Sequence, residues 1–187
     1  MTTSGIYFGN DAKHYDELIF VERCRAGDEV ALSELIIRHR SRLIRIAANI
    51  LRDSNEAEDV AQEAFLKAFR ELHNLRDNRA FSGFIYRICV RLCMDRLRSR
   101  RAEPSEIEVV DTSNGANVET KIVVERLLTL LSPELRATLV LREMEQLSYE
   151  EIADAMHVPV GTVRSRLHAA RERFRVLWIA ANRETNA

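Results

Sequence analysis

Two arginine clusters are the residues most able to act together chemically. Arg91, Arg96, Arg98, Arg100 and Arg101 crowd one stretch with only Asp95 against them. Arg164, Arg166, Arg171, Arg173 and Arg175 crowd another with only Glu172. A guanidinium stays charged and presents a rigid fork of donors that matches phosphate oxygens. Such clusters are an electrostatic footprint for phosphate; they are also what the solvated end of a helix looks like. Between them, residues 103–119 hold five acids and no base. Residues 1–102 carry 18 basic and 15 acidic side chains, and residues 120–187 carry 10 and 9. The formal net charge of −1 over 187 residues hides this alternation.

Helices must position both clusters. DELIFVERCRA (16–26) reads as a short amphipathic helix ended by Gly27, and Asp28 can cap the next. In 29–51, Leu32, Leu35, Ile36, Leu43, Ile46, Ala47 and Ile50 form one helical stripe. Asn55 followed by Glu58 suggests a capping-box variant for a third helix. Its apolar face is Val60, Ala61, Ala64, Phe65, Ala68, Phe69 and Leu72; Asp59, Gln62, Glu63 and Arg70 lie on its flanks. HNLRDNR (73–79) is a polar loop. A fourth helix spans about 80–100, with Phe81, Phe84, Ile85, Ile88, Leu92 and Leu97 inward. Its aromatic rings and arginines suit single-stranded DNA, where rings stack on bases and arginines take phosphates. Phe81 and Phe84 equally fit a core.

The segment 102–119, with Pro104, Gly115 and five acids, reads as a linker. Helices resume at about 120–131, and Ser132-Pro133 starts another. Ser148-x-x-Glu151 is a capping box opening a helix over 149–156. His157-Val158-Pro159 makes a turn, and the last helix runs over about 160–180. The predicted fold is all-α: two helical domains joined by a flexible acidic linker. The divisions are an N-terminal extension (1–15), a first domain (16–102), the linker (103–119), a second domain (120–180) and a tail (181–187).

Composition narrows the function. No stretch reaches the ~20 apolar residues of a membrane helix, and the N-terminus lacks a signal-peptide pattern. Three cysteines (Cys24, Cys89, Cys93) are too few for a disulfide scaffold, so a reducing cytoplasm is expected. Cys89 and Cys93 lie one helical turn apart and read as core; a redox or metal-sensing role is the minority alternative. No metal site, cofactor, small-molecule substrate or catalytic constellation is expected.

SYEEIADAMHVPVGTVRSRLHAAR (148–171) has the pattern of a helix-turn-helix, with Ile152, Met156, Val158, Val163 and Leu167 as its small core. Its second helix then exposes Thr162, Arg164, Ser165, Arg166, His168 and Arg171. In this motif that helix enters the major groove, where Arg reads guanine and Thr or Ser holds phosphate.

Here the sequence resembles bacterial extracytoplasmic-function (ECF) sigma factors. SPELRATLVLREMEQLSYEEIADAMHVPVGTVRSRLHAARERFR is similar to their region 4. DSNEAEDVAQEAFLKAFRELHNL resembles the region 2 helix that binds the polymerase clamp, and FSGFIYRICVRLCMDRLRSRR the helix after it. The resemblance covers about 16–102 and 120–178. It implies an alternative sigma factor, non-catalytic itself, that binds core RNA polymerase and directs initiation through −10 and −35 elements. An anti-sigma factor is the expected regulator, and the chain would act in the cytoplasm at the nucleoid or be held at the inner membrane by that regulator. The implied −35 contacts are Thr162, Arg164, Ser165, Arg166, His168, Arg171 and Arg173. The −10 contacts are Asn78, Arg79, Phe84, Arg87, Arg91, Asp95, Arg96 and Arg98, with a flipped base captured around Leu75–Arg79. Core polymerase would meet Glu58, Asp59, Gln62, Glu63 and Phe65. Phe84 stands where the family often has Trp, Arg91 where it has Asn, His157 where Gly is common and Ala169 where a basic residue is common. Two rivals remain at this level: a dimeric one-component regulator with a ligand pocket, and a helical interaction protein or enzyme that binds no DNA.

Overall fold

The computed structural model describes residues 8–102 and 118–185, with side chains for 17–100 and 123–181. Among the described residues every regular element is helical. Of the expected acidic linker (103–119), residues 103–117 lie outside them, and its last two residues open a helix instead. The first domain consists of α1 (Phe8–Arg25), α2 (Glu29–Leu51), α3 (Ser54–Arg70) and α4 (Phe81–Ala102), the second of α5 (Val118–Thr129), α6 (Pro133–Leu139), α7 (Tyr149–Met156) and α8 (Val160–Thr185).

Local sequence explains most boundaries. The Asp28 carboxylate accepts from the Val30 and Ala31 amides and starts α2. Arg52, left-handed at φ 62°, ends it. The chain turns at once, so Asp53 caps α3 by accepting from Glu56 N; the Asn55–Glu58 box predicted two residues later does not form the start. Ala57, Ala61, Ala64 and Ala68 are fully or nearly fully buried, and small side chains let α3 lie close on α2. The loop over 73–79 is tightened by two 3₁₀ turns, Leu72–Asn74 and Asn78–Ala80. The Arg25 guanidinium bonds the carbonyls of Leu72 and Leu75 and ties this loop to α1.

Two outer elements differ from expectation. α1 begins eight residues before the predicted start, and α8 runs through most of the predicted tail. A third feature has no local sequence signal. After α6 the chain makes one π turn, Val140–Met144. Its last bond runs from Glu145 N to Val140 O at 3.2 Å, and Gln146 follows in the left-handed region at φ 59°.

The second domain matches its sequence pattern closely. Ser148 and Glu151 form the reciprocal capping box of α7. His157 turns the chain at φ 53°, a conformation glycine adopts without steric cost. Ile152, Ala153, Met156, Val163, Leu167 and Ala170 are buried between α7 and α8. The buried apolar residues of both domains join in one contiguous cluster, with α7 packed on α4 and α6 on α2.

Candidate nucleic-acid and polymerase interfaces

Three surfaces follow from this framework. The first lies on α8. Val163, Leu167, Ala170 and Phe174 turn inward, which leaves Arg164, Ser165, His168 and Arg173 exposed and Thr162 and Arg166 half-buried on the flanks. Ser165 bonds back to Thr162 O at 3.0 Å, so its hydroxyl is partly committed to the helix. Among the described residues Arg164, Arg166 and Arg173 make no ion pair. Arg171 does: its guanidinium holds Glu143 Oε1 at 2.6 and 3.0 Å. It also forms part of the rim of an apolar groove of about 650 Å³. Val124, Leu128, Val140, Met144, Phe174 and Trp178 line that groove. Sequence reading missed it, although LWIA at 177–180 carries an apolar run past the motif.

The second surface is α4 with the loop before it. Every predicted arginine on α4 meets a carboxylate. Arg87 Nε lies 3.1 Å from Asp154. Arg91 lies 3.6 Å from the same carboxylate and donates to the Asp154 carbonyl at 3.3 Å. Arg96 pairs with Glu63 at 2.9 Å and Glu56 at 3.6 Å. Arg98 pairs with Asp95 at 3.0 Å, one helical turn away. Phe84 is half-buried, whereas Phe81 is completely buried, stacked near Phe69 and meeting His39 edge-on. Of the two rings that sequence left open, Phe81 is core and Phe84 reaches the surface. In the loop, Asn78 and Arg79 border a cavity of about 410 Å³ shared with Leu18, Glu22, Arg25 and Arg76. Asn78 Oδ1 is buried without a hydrogen-bond partner, and a buried acceptor left so is costly unless a ligand supplies a donor.

The third surface is the outer face of α3. Glu58, Asp59, Gln62 and Glu63 are exposed there. Phe65 is not: only 6% exposed, it stacks on Phe69 at 5.9 Å and supports this face from beneath. Leu66, 66% exposed amid the acids, is an apolar anchor that sequence analysis did not single out.

The thiols belong to the core. The hydrogen bond with Cys89, then burial, pushes the Cys93 thiol well above its ordinary range. Cys89 Sγ faces Leu43 O at 3.7 Å. Burial, with Asp28 nearby, also raises Cys24. Cys24 and Cys93 therefore stay protonated thiols at neutral pH. Among the described residues no three His, Cys, Asp or Glu side chains gather to hold a metal, and no helix is long and apolar enough to cross a membrane.

This arrangement has relatives. The Sigma-70 region 2 family model matches residues 35–103, and the Sigma-70, region 4 model matches residues 121–174. The RNA polymerase sigma-H factor of Pseudomonas aeruginosa is 36% identical over 170 residues, 81% of this chain and 88% of that protein. The ECF RNA polymerase sigma-E factor of Escherichia coli is 36% identical over 172 residues, 82% and 90% of the two chains. The chain belongs to the ECF sigma factors. As a sigma factor it serves core RNA polymerase in promoter-directed initiation. Two solved structures share the fold, each with TM-score 0.67. The sigma factor RpoE of Bartonella quintana, in complex with the anti-sigma factor NepR, is 19% identical; the match covers 78% of this chain and 95% of that one. CnrH, in complex with the cytosolic domain of CnrY, is 23% identical, with 88% and 97% covered. The matched regions fall on α2–α4 and α5–α8, so this sigma factor carries its three surfaces on two domains.

Proposed function

We propose that this sigma factor divides promoter reading between its two arginine helices. Residues 16–102 form the domain for core polymerase and the −10 strand, and residues 120–180 the domain for the −35 duplex. α8 enters the −35 major groove, with Arg164, Arg166 and Arg173 toward bases and phosphates and Thr162, Ser165 and His168 beside them. That these arginines make no ion pair among the described residues, with Arg164 and Arg173 exposed and Arg166 half-buried, is the observation that carries this reading. α4 and its preceding loop hold the melted −10 strand: Phe84 supplies a stacking ring, Arg87, Arg91, Arg96 and Arg98 take phosphates, and Asn78 with Arg79 borders the pocket for an unstacked base. Removing a base from its stack costs a few kcal/mol, and the unpartnered Asn78 acceptor offers part of the compensation. Asp95 sits among these arginines and orients Arg98. The acidic face of α3, Glu58, Asp59, Gln62 and Glu63 around Leu66, docks core polymerase.

The chain does no chemistry itself; polymerase does it, in the cytoplasm. An anti-sigma factor regulates it, and the apolar groove between α5, the π turn and α8 offers an apolar partner helix a seat. Reconstitution tests the reading. Purified chain is mixed with core polymerase and a pool of promoter fragments, and transcript 5′ ends are sequenced. Defined start sites absent with core alone are expected. Tight binding of a dimer to duplex DNA, with none to core, contradicts it and favours a one-component regulator.

A further inference from the structure

Beside the shared apolar cluster and the buried Arg136, whose Nε donates to Ile50 O at 2.9 Å, the contact between the two domains includes carboxylates of the second on arginines of the first. The π turn and the left-handed Gln146 aim Glu145 out of the second domain into the first. Its side chain is 1% exposed. It accepts from Arg42 Nε at 2.9 Å and from Arg45 Nε and Nη2 at 3.0 and 3.1 Å, while Arg42 Nη2 reaches its carbonyl at 3.3 Å. Asp154, on α7, lies against Arg87 and Arg91 as described above. Arg42 and Arg87 border a cavity of about 250 Å³ with Ser82, Tyr86, Glu145 and Glu151. Arg87 and Arg91 border an adjoining one of about 310 Å³ with Lys67, Glu71, Phe84 and Asp154.

A carboxylate and a phosphate present paired anionic oxygens to the same guanidinium fork. Two carboxylates held by four arginines, beside the helix read as the −10 surface, thus mark two phosphate-sized positions. The packing also conflicts with promoter geometry. Elements numbered −10 and −35 are about 25 base pairs apart, roughly 85 Å of duplex at 3.4 Å per pair. A compact body of this length has a radius of gyration of about 16 Å, and here α7 of the −35 domain packs directly on α4. Both elements cannot be engaged until the domains separate.

We propose that the free chain blocks its own −10 surface: Glu145 and Asp154 occupy, on Arg42, Arg45, Arg87 and Arg91, the places taken by phosphates of the melted strand once the domains part. This rests on the reading of α4 as the −10 surface, and it adds Arg42 and Arg45 of α2 to the strand's path. Neither of those was visible as a contact in the sequence.

The test uses the full chain without polymerase. Anisotropy measures affinity for a fluorescein-labelled single-stranded deoxyoligonucleotide of mixed sequence, and small-angle scattering measures the radius of gyration. The Glu145→Gln, Asp154→Asn double variant is expected to expand and to bind at least tenfold more tightly than the natural chain. Adding Arg42→Ala and Arg45→Ala should remove most of that gain while the expansion persists. Asp154→Asn alone guards against misfolding, since its side chain is 53% exposed; it should bind severalfold more tightly with an unchanged melting temperature. Expansion without tighter binding overturns the proposal, as does a folded double variant that neither expands nor binds better. The −10 reading is separated by repeating the measurement with core polymerase. Strand binding there, with no gain in the free variants, leaves that reading standing; no strand binding in either setting sinks both.

Discussion

The two arginine helices look alike in sequence and differ in how far their guanidinium groups are paired. On α8, Arg171 and Arg175 hold Glu143 and Glu172, but among the described residues Arg164, Arg166 and Arg173 make no ion pair. On α4, Arg87, Arg91, Arg96 and Arg98 all meet carboxylates. An unpaired surface guanidinium attracts phosphate at long range and falls off with salt. A paired one must first exchange its partner. The difference teaches that a count of basic residues locates a nucleic-acid surface but does not say whether that surface is open. Here α8 presents guanidinium groups that make no ion pair among the described residues, and α4 is covered, partly by its own domain through Glu56 and Glu63 and partly by Asp154 of the other.

The largest way to break this comparison is to discharge the open helix. Arg164→Ala with Arg166→Ala should lower −35-dependent transcription by at least about 30-fold, since each well-made contact contributes about 1–3 kcal/mol. Quantified run-off transcripts check it, and the salt dependence of promoter binding should flatten as well. Next in size is the buried carboxylate. Arg42→Ala with Arg45→Ala strands the buried Glu145 carboxylate; because Arg42 and Arg45 are themselves 34% and 53% exposed, the cost should fall below the about 3–5 kcal/mol of a fully buried pair. The domains should separate, read as faster proteolysis between residues 103 and 117.

Acid should then distinguish the domains. Burial first of all, then Arg42 and Arg38, lowers His39 below its ordinary 6.5, while Glu17 pulls it upward. His39 Nδ1 also pairs with Tyr86 Oη at 2.9 Å in the same core. A histidine whose folded pKa is depressed contributes stability that is complete above 6.5 and lost as pH falls below that value. In the second domain His157 and His168 are exposed. The first domain should therefore lose stability from about pH 7 downward, and His39→Gln should flatten that slope in melts followed at several pH values. The smallest effect is expected at the turn. A left-handed L-residue costs about 1 kcal/mol, and glycine gives back most of that gain through unfolded-chain freedom. His157→Gly should raise the melting temperature of the second domain by about 1 °C.

What was legible in the sequence was mostly local. The Ser148–Glu151 box, the apolar spacing of Ile152, Val163 and Leu167, and the α2 stripe each act within a turn or two of chain, and each appears as read. The α8 surface was legible for the same reason: inward positions name the outward ones. Arg171 escaped because its partner, Glu143, lies 28 residues away on another element. Glu145 and Asp154 escaped more completely. An acid on a helix or turn reads as solvated unless its partner is known, and Arg42 lies 103 residues from Glu145. The π turn that aims Glu145 has no residue signature, and Phe65 was counted on the docking face although its own helical spacing turned it inward.

The central claim is that two arginine helices read two separate promoter elements. Core polymerase carrying the natural chain, a variant of the loop before α4 (Asn78→Ala) or an α8 variant (Arg166→Ala) should be given a promoter library randomised over both elements, and the transcripts sequenced. Asn78→Ala should change the sequences tolerated at −10 and leave −35 preferences intact, and Arg166→Ala should do the reverse. Variants that alter both elements alike, or neither, would contradict the account.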